Sequence, residues 1–302
     1  MLRHGFVFCL ISVVSLAAQT PAAQPPAALI AQGGQKLQEG KFEEALALYR
    51  QELQRSPNSL QAHAAAGVAL DLMGQYGEAR QHLEKAIQAA PDAEAKARAM
   101  RSMAMSYAFE GDYKGAEKYE SQVYASYLDT GDYYMAGEIA NELARVCLEL
   151  GQIDLAEKWY RAGHDAGLRQ PDIPPDRLDL WAFRWEHAQA RIAARRGNPV
   201  EARQHVAKAK EILDRGAIPA QAQFFPYLTG YVAFHANDYK TALAELGKAN
   251  QTDPYILSLI AQAHEKLGDQ AQAMEYYRKV ASSTGHNPPA ALSIPLARRK
   301  LG

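Results

Sequence analysis

Five arginines, one asparagine and one histidine carry the clearest binding chemistry in this 302-residue chain, because they share a register with a series of glycines. Each precedes a glycine by thirteen, ten or six positions, and they are Arg98, Arg101, Asn141, Arg145, Arg184, His187 and Arg191. A guanidinium group binds a carboxylate through paired, charge-assisted hydrogen bonds. Brought onto one wall of a groove, these side chains would hold acidic groups of a partner. The alternative is that the arginines are solvated or paired with Glu138, Glu142 and Glu186, as surface charges commonly are.

Four aromatic side chains further along the chain are separated by three, four and three residues. They are Phe224, Tyr227, Tyr231 and Phe234. Rings with this spacing lie on one face of a helix. That face either packs in the core against the next helix or forms an exposed patch that anchors a partner helix or peptide. The exposure of the rings decides between these two interpretations.

The sequence contains none of the common catalytic signatures: no GxGxxG, P-loop, HExxH, GxSxG or CxxC motif occurs, and no two histidines are three or four residues apart. We therefore expect no enzyme, no metal site and no cofactor. Cys147 and the downstream His164 offer a nucleophile and a base. However, Cys147 lies four residues before Gly151, a position that Leu70 and Tyr107 fill before their own glycines, so we predict a buried core residue.

The unit of sequence that must position these side chains recurs seven times, and each unit is marked by one turn residue and two small residues. The turn residues are Gly40, Gly74, Gly111, Gly151, Gly197, Asn237 and Gly268. Five residues after each lie Ala45, Ala79, Ala116, Ala156, Ala202, Ala242 and Ala273. Seven residues before each lie Gly33, Gly67, Ala104, Ala144, Ala190, Gly230 and Ala261. A recurrence of 31 to 46 residues with small residues at the helix crossings predicts stacked helical hairpins that share a continuous core.

The second unit resembles a tetratricopeptide repeat, through Gly67, Leu70, Gly74, Tyr76, Ala79, Leu83, Ala86 and Pro91. The steps from Gly40 to Gly74 and from Pro57 to Pro91 are both 34 residues, the length of that repeat. The fifth unit departs from the pattern, with Pro199 where an aromatic residue is usual. The resemblance implies an all-α fold, a right-handed α-solenoid of about seven hairpins over residues 27–281.

The resemblance also implies where a partner lies, because the first helix of each hairpin lines the concave side of such a solenoid. The groove would then change from basic to aromatic along its length. The arginines and Asn141 are similar to the carboxylate clamps of some tetratricopeptide domains, although the full clamp pattern of Lys, Asn and Arg is not present.

The segment 1–18 is interpreted as a signal peptide. Arg3 precedes an apolar run of thirteen residues, Phe6 to Ala18, and small residues precede a cleavage site after Ala17 or Ala18. A helix of that length rises roughly 20 Å, less than the ~30 Å of a hydrocarbon core. The alternatives are an uncleaved anchor and an ordinary buried helix. Cys9 is not preceded by the small residue of a lipoprotein site, and signal removal leaves Cys147 with no disulfide partner.

Segments on either side of the repeats complete the predicted organisation. Residues 19–26 are rich in Ala, Gln and Pro, which predicts a flexible linker. Residues 282–302 contain a Gly and Pro cluster followed by a helix that ends in basic residues, which predicts a polar segment capping the last repeat. The formal net charge of -1 and the pI near 6.8 argue against nucleic acid as a partner.

We therefore expect an exported helical scaffold, in a bacterial periplasm or envelope, that binds a protein or peptide in its concave groove. After signal removal it would have no stable membrane insertion. An alternative is a chaperone-like holdase that retains unfolded clients, and a further one is an enzyme built on a helical repeat scaffold. The partner and the oligomeric state do not follow from the sequence.

Overall fold

The computed structural model describes residues 26–302, with side chains from Ala28 onwards, and this part of the chain contains helices and no strand. The fifteen helices are α1 (Pro26–Gln38), α2 (Phe42–Arg55), α3 (Leu60–Leu72), α4 (Tyr76–Gln88), α5 (Ala93–Glu110), α6 (Tyr113–Asp129), α7 (Tyr133–Glu149), α8 (Ile153–Leu168), α9 (Pro175–Arg195), α10 (Pro199–Asp214), α11 (Phe225–His235), α12 (Tyr239–Leu246), α13 (Pro254–Lys266), α14 (Gln270–Ala281) and α15 (Pro288–Leu301). A 3-10 turn over Pro219–Phe224 precedes α11. The predicted signal, and the predicted linker apart from Pro26, lie outside the described residues.

The first fourteen helices pair into seven hairpins, an all-α solenoid as predicted. All seven predicted turn residues have a positive φ, from 62° at Asn237 to 83° at Gly111. Glycine adopts this left-handed conformation without the steric cost of a Cβ atom, and it ends the first helix of the hairpin. Gly131, between α6 and α7, makes a further turn of this kind that the repeat pattern does not include.

The residue after the turn is the N-cap of the second helix of the hairpin. Asp112, Asp238 and Asp269 accept hydrogen bonds from backbone N–H groups in the first turn of the following helix, which satisfies donors that have no partner within the helix. Asn198 caps α10 in the same way, and Pro199 occupies the first position of that helix, where its missing N–H costs nothing. The fifth hairpin therefore folds with the same turn as the others despite its departure in sequence.

Helix crossings are close because their small residues leave room for a large neighbour. All fourteen small positions are buried. A Cβ atom on Gly67 would lie 2.6 Å from Leu83, and one on Gly230 would lie 2.6 Å from Leu246. Real Cβ contacts are not this short, so these positions require glycine while the neighbouring helices stay in place.

The largest fully buried side chain, Trp181 of α9, packs against α7 and α8. Its indole ring lies against Gly137 of α7 and Gly167 of α8. A Cβ atom on Gly137 would overlap the ring and would lie 2.9 Å from the carbonyl oxygen of Gly163. Because Gly137 and Gly167 have no side chains, they leave a slot between the fourth and fifth hairpins that the indole of Trp181 fills.

Helix α15 packs differently from a simple terminal cap. It contacts α14, and it also packs on α13, α5 and α7. Ala290, Ile294 and Ala297 are completely buried in these contacts. One face of α15 is therefore part of the core, and its basic residues are confined to its last turn.

A buried carboxylate fastens the segment before α15 to the second and third hairpins. Asp71 of α3 accepts hydrogen bonds from Ser106 Oγ at 2.7 Å and from His286 Nε2 at 2.9 Å, and it is fully buried. The His286 ring stacks on Phe109 of α5 with 5.4 Å between centroids. Arg298 donates to the carbonyl oxygen of Leu72. His286 and Arg298 are therefore hydrogen-bonded to α3 of the second hairpin, and this segment also packs on α5 of the third hairpin.

Candidate functional site

A cavity of about 970 Å³ lies among α7, α9, α11 and α13, with α5, α8 and the start of α15 at its edges. Eight of the eleven residues predicted to face a partner line it: Arg101, Asn141, Arg145, Arg184, His187, Arg191, Phe224 and Tyr227. They come from four separate hairpins, and the shared register brings them together. Its volume falls within the range of sites that hold small molecules or short segments of a partner.

The other three predicted residues do not line the cavity. Arg98 is exposed on α5 and pairs with Glu94 on the same helix. Tyr231 is completely buried, and its hydroxyl donates to Glu149 at 3.0 Å. Phe234 is half-buried among side chains of α11 and α12.

The aromatic stripe is therefore divided, which corrects the prediction of one groove-facing patch. Tyr231 is a core residue and Phe234 packs beside it, because the stripe winds around α11 into the next hairpin. Tyr227 is 7% exposed at the floor of the cavity. Phe224 lies in the 3-10 turn, outside α11, and is 46% exposed at the cavity rim.

Two of the arginines are neutralised by neighbours within the cavity. Arg101 donates to Glu142 at 2.6 Å, and Arg184 pairs with Glu138. The alternative interpretation is confirmed for these two, whereas Glu186 pairs with His205 instead. Each pair links successive hairpins and holds two walls of the cavity together.

Arg145 and Arg191 are placed differently. Arg191 is 6% exposed and donates to Tyr160 Oη at 2.7 Å, and no carboxylate of the described residues pairs with it. Arg145 approaches Asp253 at 4.0 Å, too far for a direct hydrogen bond. Its guanidinium also lies over the Tyr227 ring, 5.8 Å from the centroid. The carboxylates that act on these two cations are Asp253, at 4.0 Å from Arg145, and the buried carboxylate of Glu149, which pairs with Arg195 at 2.8 Å.

Three polar atoms of this floor are buried with no hydrogen-bond partner among residues 28–302: Arg145 Nε, His187 Nε2 and Tyr227 Oη. Burial, reinforced by the charges of Arg191 and Arg145, holds the pKa of His187 well below its ordinary value, so this imidazole is neutral at pH 7. An unsatisfied buried polar group costs about 1–3 kcal/mol. The floor thus offers donors that its own side chains leave unused.

Several lining residues were missed by the sequence register. Tyr160 lies on α8, the second helix of its hairpin, whereas the register counts only first helices. Asp253 caps α13, where it accepts a hydrogen bond from Tyr255 N at 2.8 Å. It lies between hairpins and outside the register, so the repeat pattern does not predict that it faces Arg145. Pro288 and Pro289 enter the cavity wall only because α15 folds back.

Cys147 is fully buried in the core of the fourth hairpin. Burial, reinforced by Glu117, raises the pKa of its thiol to about 12, so it carries no thiolate at neutral pH. The prediction of a core residue is confirmed. Within the described part of the chain, no group of three or more His, Cys, Asp or Glu side chains is placed to hold a metal ion.

A half-buried histidine beside Tyr231, His235, makes stability depend on pH. The His235 ring lies 4.4 Å from the Tyr231 ring, and burial, with Arg195 nearby, lowers its pKa from 6.5 to about 4. Because the unfolded chain binds the proton more readily, the contribution is complete above pH 6.5 and is lost as the pH falls towards 4. His235→Phe keeps the ring and should remove on the order of 2 kcal/mol of this acid sensitivity. Urea unfolding at pH 7 and pH 4.5 measures it, and identical pH dependence in both proteins would contradict it.

The comparison with family models decides the identity of the repeats. Models described as tetratricopeptide repeat match residues 36–104, 186–208 and 254–286. The chain is a tetratricopeptide repeat protein. The matches include the fifth hairpin, at the point where Pro199 departs from the usual pattern. A search of curated proteins found no significant match.

Solved structures agree with this fold. A tetratricopeptide repeat protein from Parabacteroides merdae superposes with a TM-score of 0.51 at 14% identity, over 90% of this chain and 98% of that one. The apo form of RapI gives a TM-score of 0.55 at 13% identity, over 91% of this chain and 98% of that one. A tetratricopeptide repeat protein of this kind is a protein-interaction scaffold, and its fold is generally non-catalytic. Among residues 26–302, no helix combines the length and apolarity needed to cross a membrane.

Proposed function

We propose that this tetratricopeptide repeat protein is exported and holds a protein or peptide partner in the cavity among α7, α9, α11 and α13. The observation that supports this most directly is the cavity floor, where Arg145 Nε and Tyr227 Oη have no hydrogen-bond partner in the described chain and Arg191, which donates to Tyr160 Oη, has no paired carboxylate there. The partner would carry acidic groups. Phe224 at the rim supplies exposed aromatic surface for the same contact.

The character of the lining favours a partner of defined chemistry over a holdase. Five cationic and three acidic side chains line the cavity. A site for unfolded clients would instead expose a long apolar surface that accepts many sequences. Charged groups at fixed positions weaken the binding of most client sequences, because each charge that is buried on binding without a partner raises the free energy of the complex.

Site-specific photo-crosslinking tests this function. A photoreactive residue at Gln223, exposed on the cavity rim, is compared with one at Lys208, exposed on α10 away from the cavity. In the periplasmic fraction of the source cells, we expect a discrete adduct from Gln223 and none from Lys208. The intact mass of the recovered chain should correspond to a chain that begins at Ala18 or Gln19. Equal adducts from both positions would contradict a partner in the cavity, and a full-length mass in the cytoplasm would contradict export.

A further inference from the structure

We propose that His63 and His82 of the second hairpin bind one divalent transition-metal ion, Zn²⁺ or Ni²⁺, through their Nδ1 atoms. The two histidines are 19 residues apart, on α3 and α4, and no residue of these helices lines the cavity. The sequence-based expectation of no metal site considered only histidines three or four residues apart on one helix. The proposal is independent of the partner site in the cavity.

The two imidazole rings face each other across the hairpin. Their Nδ1 atoms are 2.9 Å apart, and their centroids are 5.1 Å apart. Two nitrogen ligands, each about 2.0–2.1 Å from an ion, are separated by about 2.9 Å at a right angle and by about 3.3 Å in a tetrahedral site. A small turn of the rings therefore admits an ion while the backbones of α3 and α4 stay in place.

The orientation of His63 is set by its other ring nitrogen. Nε2 lies 2.9 Å from the carbonyl oxygen of Pro57, which can only accept, so Nε2 carries the hydrogen and Nδ1 presents a lone pair. Histidines that bind a metal commonly donate their second N–H in this way, because the bond fixes the ring and its tautomer. His63 is 4% exposed, so its surroundings also restrict the ring.

Binding of an ion replaces the hydrogen bond between the two rings. Without an ion, His82 Nδ1–H donates to the lone pair of His63 Nδ1. To bind the ion, His82 loses this hydrogen to water and takes one from water at Nε2, so both rings stay neutral and no proton is released overall. His82 is half-buried, which gives the ion and water access from solvent.

Protons and neighbouring charges determine how tightly the ion binds. Burial lowers the pKa of both His63 and His82, so protons compete little for the ring nitrogens at pH 7. Glu78 favours a cation beside His82, whereas Lys85 and Arg50 oppose it. No third His, Cys, Asp or Glu of the described chain is placed to complete the site, so water fills the other positions. We therefore expect a micromolar Kd.

Calorimetric titration of the purified chain with zinc chloride or nickel chloride at pH 7.5 tests the proposal. The chain carries no histidine tag and is first stripped of metal with EDTA, which dialysis then removes. We expect one ion to bind per chain. The Tm should rise with metal concentration, because the two ligands are held together only in the folded hairpin.

Three variants connect the binding to this pair. His63→Gln and His82→Gln should each weaken binding at least about ten-fold, because only one of the two ligands remains. His164→Gln is the matched control, since it removes a half-buried imidazole of another hairpin, 5.1 Å from the Trp185 ring, and should change the Kd less than about two-fold. Circular dichroism shows that each variant is folded.

A second measurement uses the wild-type chain and does not depend on the folding of any variant. In nitrogen-15 NMR spectra, the ring signals of His63 and His82 should shift when Zn²⁺ is added, and those of His164 should not. Absence of binding, equal affinity in the wild type and both ligand variants, or shifts confined to other histidines would each overturn the proposal. The pair would then make only a structural hydrogen bond between α3 and α4.

Discussion

Trp181→Ala should lower the free energy of unfolding by about 3–5 kcal/mol, since a large side chain is removed from a site that cannot collapse around the loss. Trp181 is completely buried between α7 and α8. Its neighbours there are Gly137 and Gly167, which have no side chains to move into the space. Urea-induced unfolding followed by circular dichroism measures the change.

The requirement for glycine beside the indole can be tested by substitution of Gly137 on α7. Gly137→Ala adds a methyl group in contact with the indole and should cost about 1–3 kcal/mol by overpacking. Gly34→Ala is the control, because a Cβ atom there meets nothing within 4 Å and should stabilise α1 by about 0.5–1 kcal/mol. In the double variant with Trp181→Ala, the part of the Gly137→Ala cost that comes from the indole should disappear, and the part that comes from the carbonyl oxygen of Gly163 should remain. Additive costs would show that the indole does not set the requirement for glycine.

Ile294→Asp should be at least as damaging, with a loss of more than about 4 kcal/mol. Ile294 is completely buried in α15, where the helix packs against α5 and α13. The substitution removes apolar contact and places a carboxylate where water does not reach. We expect α15 to detach or the chain to unfold, observed as a lowered Tm and increased binding of a hydrophobic dye.

Arg299→Asp introduces the same side chain on an exposed position of α15 and should change stability by less than about 0.5 kcal/mol. If the Ile294 variant were as stable as this control, α15 would not be an integral part of the fold. A loss in both variants would point to the helix termini instead of the buried face.

The repeats could be predicted from the sequence because their signals are local. A glycine such as Gly74 is needed for a positive φ, and an alanine such as Ala79 is needed for a close crossing, whatever lies elsewhere in the chain. The register also placed Arg145 and His187 correctly in the cavity lining, because residues on one face of neighbouring helices converge on the concave side.

What the sequence could not provide depends on contacts between distant segments. The burial of Tyr231 follows from the angle at which α11 meets its neighbours, and helical spacing carries no information about that angle. The division of the arginines into paired and unpaired groups depends on rotamers and on Glu138 and Glu142 across the hairpin boundary. The contact between His286 and Asp71 joins residues too far apart in sequence for any periodicity to reveal.

That last contact changes how the chain is expected to fold. In an open array each repeat touches only its neighbours, so unfolding can proceed from either end one repeat at a time. Here the final helix binds the second and third hairpins, which joins early and late segments into one cooperative unit. Ribosomal synthesis supplies α15 after the seven hairpins, so α3 and α5 lack this partner until α15 has been translated. Because Asp71 is hydrogen-bonded to His286, the second hairpin reaches its full stability only after the segment that precedes α15 has been synthesised.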